Sequence, residues 1–121
     1  TSYIKKINTI LNTPQVGRNE VDVAEDCYGF LRSAIELCVE TEIFQGTIKR
    51  YQKNVALTSF LKINGDKINI HKDKLNEIFE RCCGFIKGHS NPEEIHNDPT
   101  LNDLKTDFDE FKTIRDEFIK P

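Results

Sequence analysis

The sequence lacks the features that mark several large classes of protein. It has no tryptophan and no methionine, and no apolar run approaches the ~18 residues that a membrane-spanning helix requires. The N-terminus has no apolar signal-peptide core. There is also no G-x-x-x-x-G-K-[ST] phosphate-binding loop, so ATP hydrolysis does not reside in this chain. A net charge of -3 gives no overall electrostatic footprint for nucleic acid. We therefore expect a soluble, cytoplasmic protein in which any contact with RNA depends on a local patch.

The spacing of the four cysteines argues against a structural metal site. Cys27, Cys38, Cys82 and Cys83 all fall within helical patterns, no C-x-x-C pair exists, and no histidine stands at zinc-finger spacing from them. Adjacent Cys82 and Cys83 cannot both point into one core. We interpret the four as free, mostly buried thiols of a reducing compartment, and we expect neither metal nor cofactor in this domain.

The length of the chain suits one domain. At 121 residues it is long enough for a hydrophobic core of its own and too short for two. Hydrophobic residues make up 37% and charged residues 31%, which is typical of a folded globular protein. The sequence opens on Thr1 instead of methionine. We expect residues 1–121 to form a single all-α domain, the C-terminal fragment of a longer polypeptide.

Apolar residues recur at helical spacing in four segments, and no segment of useful length alternates as a strand would. We therefore predict an all-α helical bundle of three long helices plus shorter ones. The four helices are predicted at 2–12, from Asn19 to about Gln45, at 73–87 and at 101–118.

Polar residues, prolines and glycines predict the connections between these helices. Residues 54–63 are predicted to form a short helix, and Asn64-Gly65-Asp66 a turn. Gly46 and Gly88 are the predicted helix stops. Asp98, which precedes Pro99, is the predicted cap of the last helix.

Arg32 and Glu36 lie one helical turn apart on the longest predicted helix, at the edge of its apolar face. An ion pair stabilises a helix best when the glutamate comes first, and here the order is reversed. The two residues are either an ordinary surface ion pair or part of a functional group. Glu42 falls on the apolar stripe itself, and we expect it to reach solvent where the helix frays.

The three histidines differ in their predicted settings. His71 is predicted at the opening of a helix, as a surface residue, and His96 in a polar turn without metal-ligand spacing. His89 lies between a helix C-terminus and a proline-led turn, and loops of this kind often present functional groups.

A basic stretch with one aromatic residue follows the longest helix. It is either a solvated linker or an RNA contact in which the cations track the backbone and the tyrosine stacks on a base. Its residues are Lys49, Arg50, Tyr51 and Lys53.

Three features together resemble the C-terminal region of PrrC/RloC-type ABC ATPases. They are the step from Arg32 to Glu36, the phrase from Leu31 to Gly46, and the phrase from Glu80-Arg81-Cys82 to Gly88-His89-Ser90. The likeness covers about residues 25–115. In that family an all-α HEPN-type ribonuclease domain follows the ATPase and cleaves tRNA anticodon loops as a phage-defence device. The family uses an Arg-x-x-x-Glu pair and a distant histidine.

One departure from the family concerns the arginine and the histidine. The commoner HEPN signature places an arginine shortly before a histidine on one helix. Here seven residues, two of them glycines, separate Arg81 from His89. The usual version of the signature is therefore not reproduced.

The resemblance implies a metal-independent endoribonuclease (anticodon nuclease-like). In it the RNA 2′-hydroxyl attacks the adjacent phosphate and leaves 2′,3′-cyclic phosphate and 5′-hydroxyl ends. His89, with His71 as second choice, would transfer protons. Arg32 would bind the phosphate oxygens, and Glu36 would orient Arg32 or share in the acid–base work. The implied partners are RNA, tRNA in particular, the upstream ATPase domain and a second copy in a homodimer.

Two alternatives to the nuclease remain. In the first, the bundle is a non-catalytic dimerisation or partner-docking module of the same kind of ATPase, and apolar surface left over from the core mediates the contact. Arg32, Glu36 and His89 then diverge in space, whereas the nuclease requires them within reach of one phosphate. In the second, the chain is a free-standing regulatory bundle.

Overall fold

A computed structural model describes residues 2–45, 61–85 and 98–120 of the chain. Within these ranges there are helices and no strand, which confirms the predicted all-α bundle. None of the described helices is long and apolar enough to cross a lipid bilayer. The helices are α1 (Ser2–Asn12), α2 (Glu20–Cys38), α3 (Gly65–Phe85) and α4 (Leu101–Ile119), and a π-helical turn (Val39–Ile43) continues α2.

Helix α2 is the centre of the bundle because it packs against each of the other three helices. Helix α3 runs antiparallel to α2. The Tyr28 ring of α2 meets Phe85, with centroids 4.9 Å apart, whereas Arg32, one turn later in α2, lies over Phe79, earlier in α3. Helix α4 then returns parallel to α2, and α1 covers one side of α2.

The hydrophobic core lies where α2, α3 and α4 meet. Leu31, Ile78, Phe108 and Phe111 are almost completely buried there, and Ile7 closes the core from α1. These residues belong to the apolar stripes that predict the helices. Burying such side chains is worth about 1.5–3 kcal/mol each and provides the main drive for folding.

The second helix begins and ends close to the predicted positions. Asn19 caps it, its side chain accepting a hydrogen bond from the Val21 backbone N–H at 2.8 Å. The helical path continues through the π turn and stops at Gln45, whose φ of 54° is left-handed. Few residues other than glycine adopt that conformation, and it ends a helix by turning the chain away from the axis.

The third helix begins eight residues earlier than Asp73, its predicted start. The turn predicted at Asn64-Gly65-Asp66 is wrong, because Gly65 and Asp66 already lie in the first turn of α3. The Asn64 side chain accepts a hydrogen bond from the backbone N–H of Lys67 at 3.1 Å, as a helix cap does. Asn64 therefore starts a helix in place of reversing the chain.

The predicted cap of the last helix is also wrong. Helix α4 starts at Leu101, and the Thr100 side chain accepts a hydrogen bond from the Asp103 N–H at 3.1 Å. Asp98 and Pro99 precede this cap. Gly46, Gly88 and most of the predicted helix at 54–63 lie outside the described residues.

The four cysteines are free thiols, as predicted. Cys27, Cys38 and Cys82 are buried, whereas Cys83, next to Cys82, is only partly buried. Burial raises the pKa of the Cys27 thiol to about 11 and that of Cys82 to about 12. These buried thiols pack as small apolar side chains.

Glu42 does not reach solvent as predicted. Its carboxylate accepts two hydrogen bonds from Arg115 of α4, from Nε and from Nη2, each of 2.8 Å. Both side chains are about four-fifths buried. This two-pronged contact, of the stronger kind that arginine makes with carboxylates, fastens the end of α2 to α4.

A buried carboxylate joins the three long helices. Asp107 of α4 is 4% exposed, and its Oδ2 accepts a 2.7 Å hydrogen bond from the hydroxyl of Tyr28 in α2. Arg81 of α3 donates to the same carboxylate from Nε at 3.0 Å and from Nη2 at 2.6 Å. Burial, together with the bond to Asp107, raises the pKa of the Tyr28 phenol. The cluster ties α2, α3 and α4 together at one level of the bundle.

Replacing Asp107 with alanine should lower the free energy of unfolding by about 2–3 kcal/mol, chiefly because the buried Tyr28 hydroxyl loses its acceptor. Arg81 is 40% exposed and can turn to water. Tyr28→Phe keeps the carboxylate paired with Arg81 and should cost about 1 kcal/mol. Urea unfolding followed by circular dichroism measures both. The control, Asp109→Ala on the exposed side of α4, should stay within about 0.5 kcal/mol. An equal loss in Asp107→Ala and this control would contradict the prediction.

Candidate functional site

An apolar groove runs between α2 with its π turn and α3, and we call it the α2–α3 groove. Its volume is about 570 Å³, within the range of sites that bury ligands or the side chains of a peptide. Along α2 it extends over nine residue steps, about 13 Å of helix. Its lining residues are Ile35, Glu36, Val39, Glu40, Ile43, Phe44, Ile68, His71, Lys72, Leu75, Asn76, Phe79 and Phe118.

Helical spacing separates the floor of the groove from its rims. On α2 and the π turn, Ile35, Val39 and Ile43 follow one another at steps of four and form the floor on that side. Glu36 and Glu40, each one residue further along, form the rim beside them. The floor is buried or half-buried, whereas Glu36 is exposed and Glu40 half-buried. An apolar floor therefore lies beside an acidic rim.

The α3 side of the groove has a different rim. Its floor is formed by Ile68, Leu75 and Phe79, and its rim by exposed Lys72 and Asn76. No carboxylate of α3 lines the groove within the described residues. The two rims therefore differ in charge, acidic on α2 and basic or neutral on α3.

Arg32 and Glu36 contact each other, with the Arg32 Nε 3.3 Å from the Glu36 Oε1. Their side chains are 34% and 45% exposed, which agrees with the predicted position at the edge of the apolar face. The Arg32 guanidinium lies over the Phe79 ring, 5.7 Å from its centroid. Its buried Nε makes no aligned hydrogen bond to a described residue. The pair is thus a partly exposed ion pair that packs on α3 at the edge of the groove.

His71 does not open a helix as predicted. Because α3 starts at Gly65, His71 lies in its second turn, half-buried, and lines the groove. The edge of its ring meets Phe118 of α4, with centroids 5.8 Å apart. His71 and Glu36 therefore line one groove from facing helices.

The other predicted site residues lie in parts of the chain that the structure does not describe. His89, the first choice for the catalytic histidine, lies outside the described residues, as does His96. The same holds for the predicted RNA contacts Lys49, Arg50, Tyr51 and Lys53. Of the predicted catalytic set, the structure brings together Arg32 and Glu36.

The described part of the chain offers little for a metal. Residues 2–45, 61–85 and 98–120 contain no group of three His, Cys, Asp or Glu side chains placed to hold an ion. The groove is mainly apolar and has two carboxylates on one rim. Such a surface binds apolar side chains and repels phosphate unless cations outnumber the carboxylates.

Comparisons with protein-family models, with curated proteins and with solved structures give no match to this chain.

The apolar residues of α2 beyond its buried stripe are the sequence feature that indicates the groove. Helix α2 buries the stripe of Leu31, Ile35 and Cys38, yet Val39 and Phe44 continue the apolar surface beyond it. A helix whose apolar arc is wider than one packing partner requires can have a second apolar neighbour. Which residues face that neighbour depends on how α3 packs. The packing of α3 cannot be predicted from the sequence of α2.

Glu36→Gln should change the free energy of unfolding by less than about 0.5 kcal/mol, because a half-exposed i,i+4 ion pair contributes little. Arg32→Gln should cost somewhat more, up to about 1 kcal/mol, because the side chain also packs on Phe79. Urea unfolding at low salt measures both. A loss of 2 kcal/mol or more in Glu36→Gln would show that the pair holds the fold together.

Proposed function

We propose that the chain is a non-catalytic helical module that docks a partner, with the α2–α3 groove as the docking site. The observation that carries the proposal is the apolar floor of this groove, where buried core residues and half-buried neighbours meet, from Ile35 to Ile43 on one side and from Ile68 to Phe79 on the other. Concave, mainly apolar grooves between helices are common binding sites in soluble proteins.

The shape of the groove favours an amphipathic helix as the partner. Two antiparallel helices form its walls, and about 13 Å of α2 corresponds to between two and three helical turns. A third helix in such a groove places the apolar residues of one face on the floor, at steps of three and four. The resemblance to PrrC/RloC-type ATPases suggests the ATPase region of the same polypeptide as the source of this helix.

A labelled 18-residue peptide with leucine on one helical face and glutamine elsewhere should bind saturably, with chemical-shift changes centred on the floor. Phe44→Glu should weaken this binding at least about tenfold, because it places a charge where an apolar anchor packs. Phe44 is 40% exposed, so the variant should still fold. Fluorescence anisotropy gives the affinities.

The matched control for this experiment is Val16→Glu. Val16 is 91% exposed and does not line the groove, so its substitution should leave the affinity unchanged. Absence of binding, or equal weakening by both variants, would refute the docking site. A dimer in sedimentation that Phe44→Glu dissociates would instead assign the groove to a second copy of the chain.

A second candidate function is the metal-independent ribonuclease. It is favoured by one observation: Glu36, in contact with Arg32, lines the same groove as His71. In this mechanism the histidine takes the proton of the RNA 2′-hydroxyl as that oxygen attacks the phosphate, and the imidazolium so formed gives a proton to the 5′-oxygen as its bond to phosphorus breaks. Arg32 neutralises the charge that develops on the phosphate. His89 is the histidine that the resemblance indicates, and His71 is the one beside the groove.

If the chain is a nuclease, it should cleave bulk tRNA in EDTA and leave 2′,3′-cyclic phosphate ends. Either His89 or His71 is the acid–base group in this mechanism. Replacing that histidine with alanine should slow cleavage about 10²-fold or more. Arg32→Gln and Glu36→Gln should also slow it. End-group analysis of the products distinguishes this chemistry from that of a contaminating nuclease. Lack of cleavage by the folded chain, alone and joined to its proposed ATPase, would reject this candidate.

A further inference from the structure

We propose that the helix docked in the α2–α3 groove carries basic residues along the edge that meets α2. This inference rests on the proposed docking function and adds the charge pattern of the partner. Glu36 and Glu40 are four residues apart on one rim, so their carboxylates line the same edge of the groove at about one helical turn of spacing. A docked helix with cations one turn apart on its α2 edge would face both.

The neighbouring charges leave this rim acidic. Arg32 neutralises part of the charge of Glu36. Glu40 forms no ion pair with any described residue. Glu42 forms an ion pair with Arg115 and does not line the groove. The net charge presented to a partner along the α2 rim is therefore negative.

The opposite rim differs in sign. Lys72 is exposed there, Asn76 is neutral, and half-buried His71 lies between that rim and Phe118. A basic edge turned toward α3 would meet Lys72 and be repelled. The charge difference therefore favours one direction of the docked helix, because turning the helix end to end would exchange its two edges.

The experiment compares two peptides with the same leucine face. One has glutamine on both edges, and the other has lysines at two positions four residues apart on one edge. At about 50 mM salt the lysine peptide should bind wild-type protein roughly threefold to tenfold more tightly, as expected for two partly exposed ion pairs. At about 500 mM salt the advantage should shrink, because the charges are screened.

The protein variant that tests the rim is Glu36→Gln combined with Glu40→Gln, which should remove the advantage of the lysine peptide over the glutamine peptide. The matched control, Asp22→Asn with Glu25→Gln, neutralises two carboxylates on the same helix away from the groove. This control should retain the advantage.

The outcomes separate the inference from the docking function. Equal binding of the two peptides to wild-type protein, or an advantage that survives in Glu36→Gln/Glu40→Gln, would overturn the basic edge and leave the docking site intact. Failure of both peptides to bind would overturn both proposals. A single-stranded ten-residue oligouridylate that displaces the glutamine peptide and shifts the groove resonances would assign the groove to RNA and overturn the inference.

Discussion

The buried carboxylate of Asp107 is the contact on which the arrangement of the three long helices depends. Removing a carboxylate from water costs several kcal/mol unless its oxygens are bonded, and here Tyr28 and Arg81 bond it from two other helices. Apolar stripes alone allow helices to slide past one another by a turn with modest loss of burial. A slide by one turn would leave this carboxylate unpaired. We therefore expect the cluster to favour one register of α2, α3 and α4.

The groove follows from where the polar ties lie. Helix α3 is tied to α4 at several levels: by Arg81 to Asp107, by Lys74 to Glu110, and by the contact of His71 with Phe118. Helix α4 is tied to α2 at its start, where the Leu101 N–H donates to the Glu20 carboxylate, then at the Asp107 cluster, and near the end of α2 by the Glu42–Arg115 pair. Among the described residues no ion pair joins α3 directly to α2. Within residues 2–45, 61–85 and 98–120, the surface between α2 and α3 near the π turn is therefore a groove over an apolar floor.

Much of the fold could be predicted because the spacing of apolar residues along the chain indicates the helices. The polar contacts between helices could not be predicted from this spacing. The stripes of α1, α2 and α4 give these helices nearly at their observed bounds. Glu42 and Asp107 both fall on apolar stripes, which is a visible anomaly, yet their partners are 73 and up to 79 positions away. Pairing at such distances depends on how the helices pack. The predicted start of α3 is wrong because asparagine is common both in turns and at helix caps. In the structure the Asn64 side chain accepts a hydrogen bond from the Lys67 N–H and caps the helix.

The same limit applies to Arg32 and Glu36, whose spacing suits a surface ion pair and a catalytic group equally well. Their surroundings separate the two interpretations. A phosphodiester in the α2–α3 groove would meet two carboxylates on one rim and a floor without hydrogen-bond donors, and both raise the cost of placing an anion there. A basic-edged amphipathic helix would gain from the same two features, because its apolar face covers the floor and its cations offset the rim. A nuclease site at this groove would therefore need additional cations near Arg32, and Lys72 is the lysine that already lines it.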